Sequence, residues 1–494
     1  MKTSIRARAI YLQVFTRWAV PADVRSVLAR FRQAGFDAFV VGGCVRDLLL
    51  GKTPKDWDVT TDATPDEIMR TFPRTVPTGV KHGTVTILTP GRAVEATTYR
   101  VETGYSDHRR PDEVKFVRDL REDLARRDFT INAMALSGTG HLVDYFGGLR
   151  DLEQGVIRAV GDPAERFEED ALRMLRAIRF AAQLGFAIAP ETLAAIAPRA
   201  QTLRHVSAER IRDEFAKAIT SPHPADAVEL LRETGLLAEF LPELLEGYGM
   251  EQNRHHRFTV WEHNLIAMGT VPPQLHLRLA ALLHDVGKPR SLSVDRKGDR
   301  HFFNHEIIGA DMAYKLLKRL RFDNATVLRV VHLIRHHMTL HLNRDMKDAA
   351  IRRLINRVGL ENMDDLIRLR EADRAASGKK PGPVSAGTLE LLRRIDRILK
   401  EDAAFSLKDM AVDGNDIMAA TGIKPGPLVG KVLARLFEEV LDDPALNDRD
   451  RLLERARQLV AAADAGGAGD AGGGGASEPG PAAEDDDPDG EDAS

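Results

Sequence analysis

The sequence predicts an α+β protein in which a small mixed α/β head precedes an elongated all-α body. Three patterns indicate this fold class. Short alternating apolar stretches such as "DAFVVGG" and "GTVTILT" are typical of strands and occur in the first 150 residues. Helical periodicity then dominates from about residue 163 to 462, interrupted by Pro- and Gly-rich turns. The remaining Gly-, Ala- and acid-rich residues cannot bury a core, which predicts a disordered acidic tail.

These patterns divide the chain into five predicted regions, because 494 residues exceed the size of one typical core. The regions are a head (22–150), a helical neck (151–245), a helical domain rich in His and Asp (246–378), a second helical region (379–462) and the acidic tail (463–494).

The composition is that of a soluble globular chain, with 43% hydrophobic and 29% charged residues. No apolar run approaches the ~20 residues that are needed to cross a bilayer. The first residues contain no pattern of a secretory signal. The single cysteine, Cys44, excludes an intramolecular disulfide. We therefore expect a cytoplasmic protein without a membrane partner.

The net charge of −4 conceals a basic body. Ten of the 74 acidic residues lie from Asp464 onward, where no Lys or Arg occurs. With 70 basic residues in total, the rest of the chain has six more basic than acidic residues. This excess is compatible with a nucleic-acid partner, although it is weak support by itself.

A glycine pair and a D-x-D motif follow an apolar strand in "FVVGGCVRDLLLGKTPKDWDVTTD" (39–62). Side chains alternate along a strand, so Asp56 and Asp58 face one way and the intervening tryptophan faces the other. Two such carboxylates are suited to sharing Mg²⁺ ions. Gly42 and Gly43 would let backbone N–H groups approach phosphates. The alternative is a turn that is followed by a solvated strand end.

The segment "VVGGCVRDLLLGKTPKDWDVTTDATPDEI" resembles the polymerase-β-like nucleotidyltransferases, in the branch that holds bacterial class II CCA-adding enzymes and bacterial poly(A) polymerases. The resemblance is strong over about residues 35–220. It continues, in family order and spacing, through "LARRDFTINAMAL" (124–136), "DYFGGLRDL" (144–152) and "DPAERFEEDALRMLRAIRFAAQLGF" (162–186). It implies a nucleotidyltransferase head in which Asp56 and Asp58 hold two Mg²⁺ ions.

The resemblance also implies a nucleotide site in "RRDFTIN". Arg127 would face the triphosphate, Asp128 the ribose 2′-hydroxyl and Asn132 the sugar or phosphate. A guanidinium suits a phosphate, and a carboxylate that accepts from a 2′-hydroxyl selects ribose. A surface charge cluster is the alternative. Glu95, in "AVEATTYR", is either a third catalytic carboxylate or a cross-strand partner of an arginine.

The motif "EEDALR" contains Glu169, Asp170 and Arg173 on a predicted continuous helix, where an exposed ion pair is the simplest interpretation. The resemblance implies instead that Arg173 and Asp170 pair with the Watson–Crick edge of CTP or ATP, while Glu169 orients the arginine. Arg46 and Arg176 complete the predicted nucleotide-binding residues.

Two further segments are implied to assist base selection. The polar segment 100–124 corresponds to a flexible loop that helps the family switch from C to A, which favours whole CCA addition or A addition alone. In "SAERIRDEF", Arg210 and Glu214 are one turn apart. They would brace the base-reading helix or form a surface pair.

Metal-ligand residue types recur in "WEHNL", "LLHDVGKP", "NHEIIGA", "IRHHM" and "READRAA", with the His-Asp spacing of HD-type metal phosphohydrolases. The predicted ligands are His263, His284, Asp285, His305, His336 and Asp373. This set suits a divalent transition metal or Mg²⁺ better than structural zinc. The resemblance implies a phosphatase and cyclic phosphodiesterase, and a vestigial helical module that grips tRNA is the alternative.

The last helical stretch resembles the C-terminal part of CCA-adding enzymes through "DGNDIM", "GIKPGP" and Asn447. The leading hypothesis is therefore the addition of CCA to tRNA from CTP and ATP. A-only addition and poly(A) synthesis are alternatives, but the interval before "RRD" lacks the basic aromatic stretch that is usual in poly(A) polymerases. An HD phosphohydrolase with a degenerate RNA-binding head is the alternative of another class, and a non-catalytic RNA-binding scaffold is a third. The sequence predicts no oligomeric state.

Overall fold

The structure is a computed structural model that describes residues 4–10, 19–103, 113–253, 256–339, 346–378, 386–401 and 407–466. These residues form two compact units. The first unit lies within Met1–His341 and Glu361–Ser385, and the second within Leu342–Leu360 and Ala386–Ser494. The described residues 346–360 therefore pack with the C-terminal region, although they lie inside the sequence range that was assigned to the His- and Asp-rich domain.

A seven-stranded mixed sheet is the centre of the head. Its strands are β1 (Ala38–Val41), β2 (Asp58–Thr61), β3 (Thr75–Gly79), β4 (Thr84–Leu88), β5 (Ala93–Thr98), β8 (Met134–Ser137) and β9 (Leu142–Asp144). The spatial order is β3-β4-β5-β2-β1-β8-β9. Neighbouring strands are antiparallel except β2 and β5, which are parallel. The predicted mixed α/β head is thus confirmed.

The helices of the head are α1 (Ala22–Gln33), α2 (Gly43–Leu49), α3 (Pro65–Thr71), α4 (Leu120–Ala125) and α5 (Gly148–Gln154). In α1, Val24, Val27, Leu28 and Phe31 are buried at the i, i+3, i+4, i+7 spacing of an amphipathic helix. Helix α3 begins with a capping box, in which the Thr64 backbone N–H donates to the Glu67 carboxylate over 2.8 Å.

The polar segment 100–124 contains ordered structure where it is described. Strands β6 (Arg100–Thr103) and β7 (Glu113–Phe116) pair as an antiparallel ribbon before α4. The middle of the predicted flexible loop, residues 104–112, lies outside the described residues.

The rest of the first unit is helical, which confirms the predicted all-α body. Its helices are α6 (Pro163–Glu169), α7 (Leu172–Leu184), α8 (Pro190–Ala194), α9 (Ala208–Ile219), α10 (Pro224–Glu233), α11 (Leu236–Phe240), α12 (Val260–Thr270), α13 (Leu275–Leu283), α14 (Lys288–Ser291), α15 (His305–Arg319), α16 (Asn324–His336) and α18 (Leu360–Ala376). Two minimal strand pairs join β10 (Val156–Ile157) to β11 (Ala187–Ile188) and β12 (Ser293–Val294) to β13 (Arg300–His301).

The second unit contains α17 (Asp348–Val358), α19 (Ala386–Glu401), α20 (Gly414–Thr421), α21 (Pro427–Asp442) and α22 (Arg449–Gly466). Its apolar core includes Ile417, Leu436, Val440 and Ala456. The Asn447 amide accepts from the Ala411 backbone N–H over 2.8 Å and donates to the Asp409 carbonyl over 3.1 Å, so it fastens two loops together.

Helix α22 extends four residues into the range that was predicted for the acidic tail. The remaining tail, residues 467–494, lies outside the described residues. None of the described helices combines the length and the apolar character that are required to cross a bilayer.

Candidate active site and metal centre

The predicted catalytic carboxylates lie on one face of the head sheet. Asp58 opens β2 opposite Val41 on β1, and it is in register with Glu95 on the parallel strand β5. In-register side chains on neighbouring strands share a face of the sheet. Asp56 and Asp58 reach the surface, whereas Trp57 between them is only 4% exposed. The side chains around the D-x-D motif therefore alternate as the strand geometry requires.

These carboxylates influence one another electrostatically. The pKa of Asp58 lies above its usual value, chiefly because of burial. Arg127 acts against this shift, while the charges of Glu95 and Asp56 add to it. A divalent cation beside the three groups would relieve their repulsion.

Gly42 places the end of β1 against Asp58 and Arg127. Its φ of +84° is in the left-handed region, and a Cβ there would lie 3.1 Å from Nη1 of Arg127 and 4.0 Å from Oδ2 of Asp58. The positive φ favours glycine at this position. Gly43 follows, and a Cβ at that position would lie 3.5 Å from Nη2 of Arg46. The structure thus brings the glycine pair, two arginines and a carboxylate together.

A chain of hydrogen bonds links α2 to α7 through the "RRDFTIN" segment. Arg46 Nη1 donates to Asn132 Oδ1 over 2.7 Å, and Asn132 Nδ2 donates to Asp128 Oδ1 over 3.2 Å. Arg176 donates to Asp128 Oδ2 from Nε over 2.8 Å and from Nη2 over 2.6 Å. Four residues that the sequence assigned to nucleotide binding therefore form one connected set.

Asp128 remains ionised in this setting. Burial opposes ionisation, but Arg176 is the main favourable partner and lowers the pKa of Asp128 to about 2. Arg127 precedes Asp128 in the chain, and its Nη2 lies 3.7 Å from a different carboxylate, Oδ2 of Asp123. Within the described part of the chain, the buried Arg127 Nε has no hydrogen-bond partner. Asp128 therefore offers an acceptor for a hydroxyl, and Arg127 offers spare donors for an anion.

The predicted continuous helix through "EEDALR" is wrong, because the chain breaks at Asp170. This residue has φ −143° and ψ 103° and separates α6 from α7. Its Oδ1 accepts from the Leu172 backbone N–H over 3.1 Å, as in a helix N-cap. Its Oδ2 accepts from Arg210 Nη2 over 2.8 Å. Asp170 and Arg173 therefore do not lie on one helix face.

Arg173 is held on several sides and is only 9% exposed. Its Nη1 donates to Glu169 Oε2 over 2.5 Å and to the Arg166 carbonyl over 3.2 Å, and its Nη2 donates to the Arg126 carbonyl over 3.1 Å. Glu169 is thus placed to orient the arginine. The two backbone carbonyls are contacts that the sequence did not indicate.

Arg210 and Glu214 do not pair with each other. Arg210 binds Asp170, whereas Glu214 accepts from Arg179 and lies 3.8 Å from Nη1 of Arg176. Sequence reasoning missed Arg179, although three arginines recur every third residue along α7 and indicate a shared face.

A second cluster consists of six side chains that are each at most 8% exposed. They are His263, His284, Asp285, His305, His337 and Asp373. His263 lies in α12 and Asp373 in α18, and the other four lie at or close to the ends of α13, α15 and α16. Within the described residues, two groups of three have ligand atoms within 4.8 Å of one another, and the carboxylates of the head are not among them. One group is His263, His284 and Asp373, and the other is Asp285, His305 and His337.

The structure corrects one predicted ligand, because His337 and not His336 belongs to this cluster. His337 is 2% exposed, and its Nε2 lies 3.2 Å from Nε2 of His305. His336 is half-buried and packs against His332, with ring centroids 4.5 Å apart. Consecutive helical residues differ by about 100° in direction, so only one of two adjacent histidines points inward.

Charged side chains also surround the metal-ligand cluster. Lys288 lies 2.7 Å from Asp285 Oδ2, and Arg370 donates to Asp373 Oδ2 over 2.8 Å. Burial, aided by the positive charge of His284, lowers the pKa of His337 to about 3, so that ring is neutral. Sequence reasoning missed Lys288, which follows the His-Asp pair by one helical turn in "HDVGKP".

Gly287, in the same motif, allows the chain to pass close to α15. A Cβ at this position would lie 2.2 Å from the His305 carbonyl oxygen and 2.6 Å from the Gly309 nitrogen. No side chain fits there. The glycine therefore lets the turn after the His-Asp pair approach the helix that carries His305.

Comparisons with known proteins identify the families to which the head and the helical domains are similar. Residues 38–158 match the Poly A polymerase head domain, 185–247 the probable RNA and SrmB-binding site of polymerase A, and 256–376 the HD domain. The CCA-adding enzyme of Lactiplantibacillus plantarum is 35% identical, over 88% of this chain and 97% of that protein. The enzyme of Limosilactobacillus fermentum is 38% identical with the same coverage. The chain belongs to the CCA-adding enzyme family.

Solved CCA-adding enzymes have the same fold. The Bacillus stearothermophilus CCA-adding enzyme in complex with CTP is 30% identical, with a TM-score of 0.69 over 90% of this chain and 98% of that one. The Thermotoga maritima enzyme complexed with tRNA has a TM-score of 0.57 at 19% identity and supports the fold alone. The predictions of a nucleotidyltransferase and an HD domain are confirmed. Poly(A) synthesis, A-only addition and a degenerate head are not favoured.

Proposed function

We propose that this chain adds CCA to the 3′ ends of tRNA in the cytoplasm, using CTP and ATP and releasing pyrophosphate. The convergence of Gly42, Asp58 and Arg127 supports this function, because it places a carboxylate and a guanidinium beside a glycine in the left-handed region. The relatives that cover most of the chain are CCA-adding enzymes, and one solved relative holds CTP.

Asp56 and Asp58 would hold two Mg²⁺ ions, with Glu95 as a third carboxylate on the neighbouring strand. The residues fit such cations, because the two aspartates reach the surface and the pKa of Asp58 is raised partly by like charges. When bound, Mg²⁺ would neutralise the triphosphate and activate the tRNA 3′-hydroxyl for attack on the α-phosphate.

The nucleotide would lie across the glycine pair. The backbone N–H of Gly43 would approach the phosphates, whereas that of Gly42 donates to the Met134 carbonyl over 3.4 Å. Arg127 would contribute the buried Nε that has no protein partner among the described residues. Asp128 would accept from the ribose 2′-hydroxyl, since it stays ionised. Arg176, Arg46 and Asn132 keep that carboxylate in place.

Arg173 and Asp170 would select the base. Three of the five Arg173 N–H groups are used by Glu169 and two carbonyls, so two remain for O2 and N3 of cytosine. Asp170 would accept from the exocyclic amine of cytosine or adenine. GTP and UTP carry an acceptor at that position, so they would be refused.

We also propose a phosphohydrolase activity at the HD cluster, acting on phosphate esters such as those of damaged RNA ends. Four imidazoles and two carboxylates, nearly all inaccessible to solvent, suit a divalent metal centre. A bound metal would activate water and polarise the phosphate. Lys288 and Arg370 would hold the carboxylates in orientation.

A nucleotide-addition assay tests the transferase. Three tRNA substrates are incubated with each labelled nucleotide separately. The first ends before the first C, the second after one C and the third after both C residues. We expect CTP incorporation on the first two, one ATP addition on the third and then no further extension. Continued ATP addition would instead establish poly(A) synthesis, and no incorporation on any substrate would favour a binding scaffold.

A further inference from the structure

We propose that Phe180 is a positioning residue of the nucleotide site, and that its ring keeps the Asp128 carboxylate in place for the ribose 2′-hydroxyl. Phe180 lies in α7 and is only 5% exposed. It acts through the side chains around it and not on the nucleotide itself. This role rests on the proposed function, because Asp128 is the residue that would accept from the ribose.

Three guanidinium groups lie around the ring of Phe180. The Cζ atoms of Arg179, Arg46 and Arg176 lie 3.8, 5.1 and 5.4 Å from the ring centroid. Arg176 is four residues earlier on α7 and so shares a face with Phe180, whereas Arg46 comes from α2 in the head. A cation within about 6 Å of an aromatic centroid is attracted by the π electrons. The ring therefore attracts guanidiniums from two separate elements.

The ring also reduces repulsion between these like charges. Each guanidinium has a carboxylate partner, and these partners are Asp47, Asp128 and Glu214. Burial lowers the pKa of Arg179, and the charge of Arg176 adds to this shift against the effect of Glu214. The π electrons of Phe180 attract both guanidiniums and so offset part of their repulsion. A saturated side chain of similar size would fill the space without this attraction.

Three neighbours of this ring also bind Asp128, directly or through one amide. Arg176 donates to Asp128 Oδ2 from Nε over 2.8 Å and from Nη2 over 2.6 Å. Arg46 reaches Asp128 Oδ1 through the side chain of Asn132. The Phe129 backbone N–H donates to the same oxygen over 2.8 Å, and the Phe129 ring packs edge-on with centroids 5.8 Å apart. Both carboxylate oxygens are therefore held by residues that contact the ring.

The ring should matter for ribose and not for deoxyribose. A hydrogen bond weakens steeply when its angle departs from linearity, so Asp128 must be held firmly to accept from a 2′-hydroxyl. If the ring loses its attraction, Arg46 and Arg176 can shift and the carboxylate loses its orientation. A deoxynucleotide has no 2′-hydroxyl and does not depend on this orientation. The preference for ATP over dATP therefore reports the position of Asp128, whereas general loss of stability affects both nucleotides alike.

Fluorination of the ring tests this role with little change in its volume, so the variants should fold. Fluorine withdraws π electrons and weakens the attraction for cations. Phenylalanines with one, two and three fluorines are incorporated at position 180 of the full chain, and kcat/KM for ATP and dATP is measured on tRNA that ends in CC. We expect the preference for ATP to fall stepwise, by up to about 30-fold, through a higher KM for ATP. The kcat/KM for dATP should stay unchanged.

The matched control carries the same fluorinated residues at Phe215. This side chain is 2% exposed and packs edge-on against Phe240, with ring centroids 5.4 Å apart, so its described partner is a ring and not a guanidinium. These variants should keep the wild-type preference for ATP.

The outcomes separate the role of the ring from the proposed function. A preference for ATP that all Phe180 variants retain would overturn the role of the ring alone. Equal loss of activity with ATP and dATP, or an equal fall of the preference in the Phe215 variants, would also overturn it. A wild type that uses dATP as well as ATP would overturn the ribose contact of Asp128 in the proposed function, and the role of Phe180 with it.

Discussion

At the residue scale, Asp58 combines a proposed catalytic role with an unfavourable charge. Its pKa is raised by burial, and the nearby charges of Glu95 and Asp56 add to this rise against the effect of Arg127. A carboxylate whose folded-state pKa exceeds its unfolded value destabilises the fold when it is ionised. The charge arrangement that would hold Mg²⁺ therefore costs stability when the ion is absent.

We expect Asp58→Asn to raise the apparent melting temperature by about 1–2 °C in the absence of divalent cations, because it removes like-charge repulsion at a partly exposed site. The same change should abolish CCA addition. The destabilisation by Asp58 is present at neutral pH and disappears as the pH falls through its raised pKa toward the unfolded value of ~3.9. The difference between variant and wild type should therefore shrink on acidification.

Differential scanning fluorimetry with and without Mg²⁺ measures this effect. Mg²⁺ should raise the melting temperature of the wild type more than that of the variant. Asp66→Asn, at an exposed position in the first turn of α3, is the matched control and should preserve CCA addition. A variant that melts below the wild type at neutral pH without Mg²⁺ would contradict the electrostatic explanation.

At the element scale, the break between α6 and α7 determines the positions of Asp170 and Arg173, which are proposed to select the base. Asp170 lies in the break and is held by Arg210 from α9, whereas Arg173 is the second residue of α7 and is held by Glu169 at the end of α6. A continuous helix would fix both groups by its own periodicity. The break instead makes their relative position depend on partners from other elements.

Arg210→Ala should relax nucleotide selection, because Asp170 loses the partner that orients its carboxylate. Loss of a charged hydrogen bond of ~1.5–3 kcal/mol predicts that misincorporation of UTP and GTP, relative to CTP and ATP, rises about 10- to 150-fold. Arg212→Ala, on the same helix and bonded to Asp213, is the matched control. Steady-state kinetics with each nucleotide measures the ratio. Unchanged selectivity together with a large fall in melting temperature would indicate a purely structural role for Arg210.

At the scale of the whole molecule, one chain contains two separate sets of metal-binding side chains. The head uses carboxylates on and beside the central strands of a sheet, which suit Mg²⁺, and the HD cluster uses buried imidazoles, which suit transition metals. None of the proposed ligands is common to both sets, so the two activities should respond independently to substitution.

Asp58→Ala should lower CCA addition on the order of 10²–10³-fold or more and leave the hydrolysis of 2′,3′-cyclic AMP and p-nitrophenyl phosphate unchanged. His284→Ala combined with Asp285→Ala should do the reverse, because it removes two of the proposed ligands of the HD cluster. Assaying both reactions in both variants provides the control, since each retained activity shows that the protein is folded. Loss of both activities in either variant, without unfolding, would contradict two independent sites.

The sequence by itself determined the order of the regions and the chemistry of the head. The strand before Gly42, the D-x-D motif and the "RRDFTIN" segment are local patterns, and the structure places them together where the central strand β1 ends and β2 begins. These patterns can be interpreted locally because a residue's position along a strand fixes its face, and because a left-handed backbone favours glycine.

Only the tertiary structure decided which partner each charged side chain takes. Arg210 turned out to bind Asp170 and not Glu214, and His337 replaced His336 in the metal-ligand cluster. The partner of Arg210 depends on the break at Asp170, and the choice between the two histidines depends on which one at the end of α16 faces α15. Both outcomes are set by packing between elements that are distant in sequence. Local periodicity gives the directions available to a side chain, but packing against distant elements selects the one it adopts.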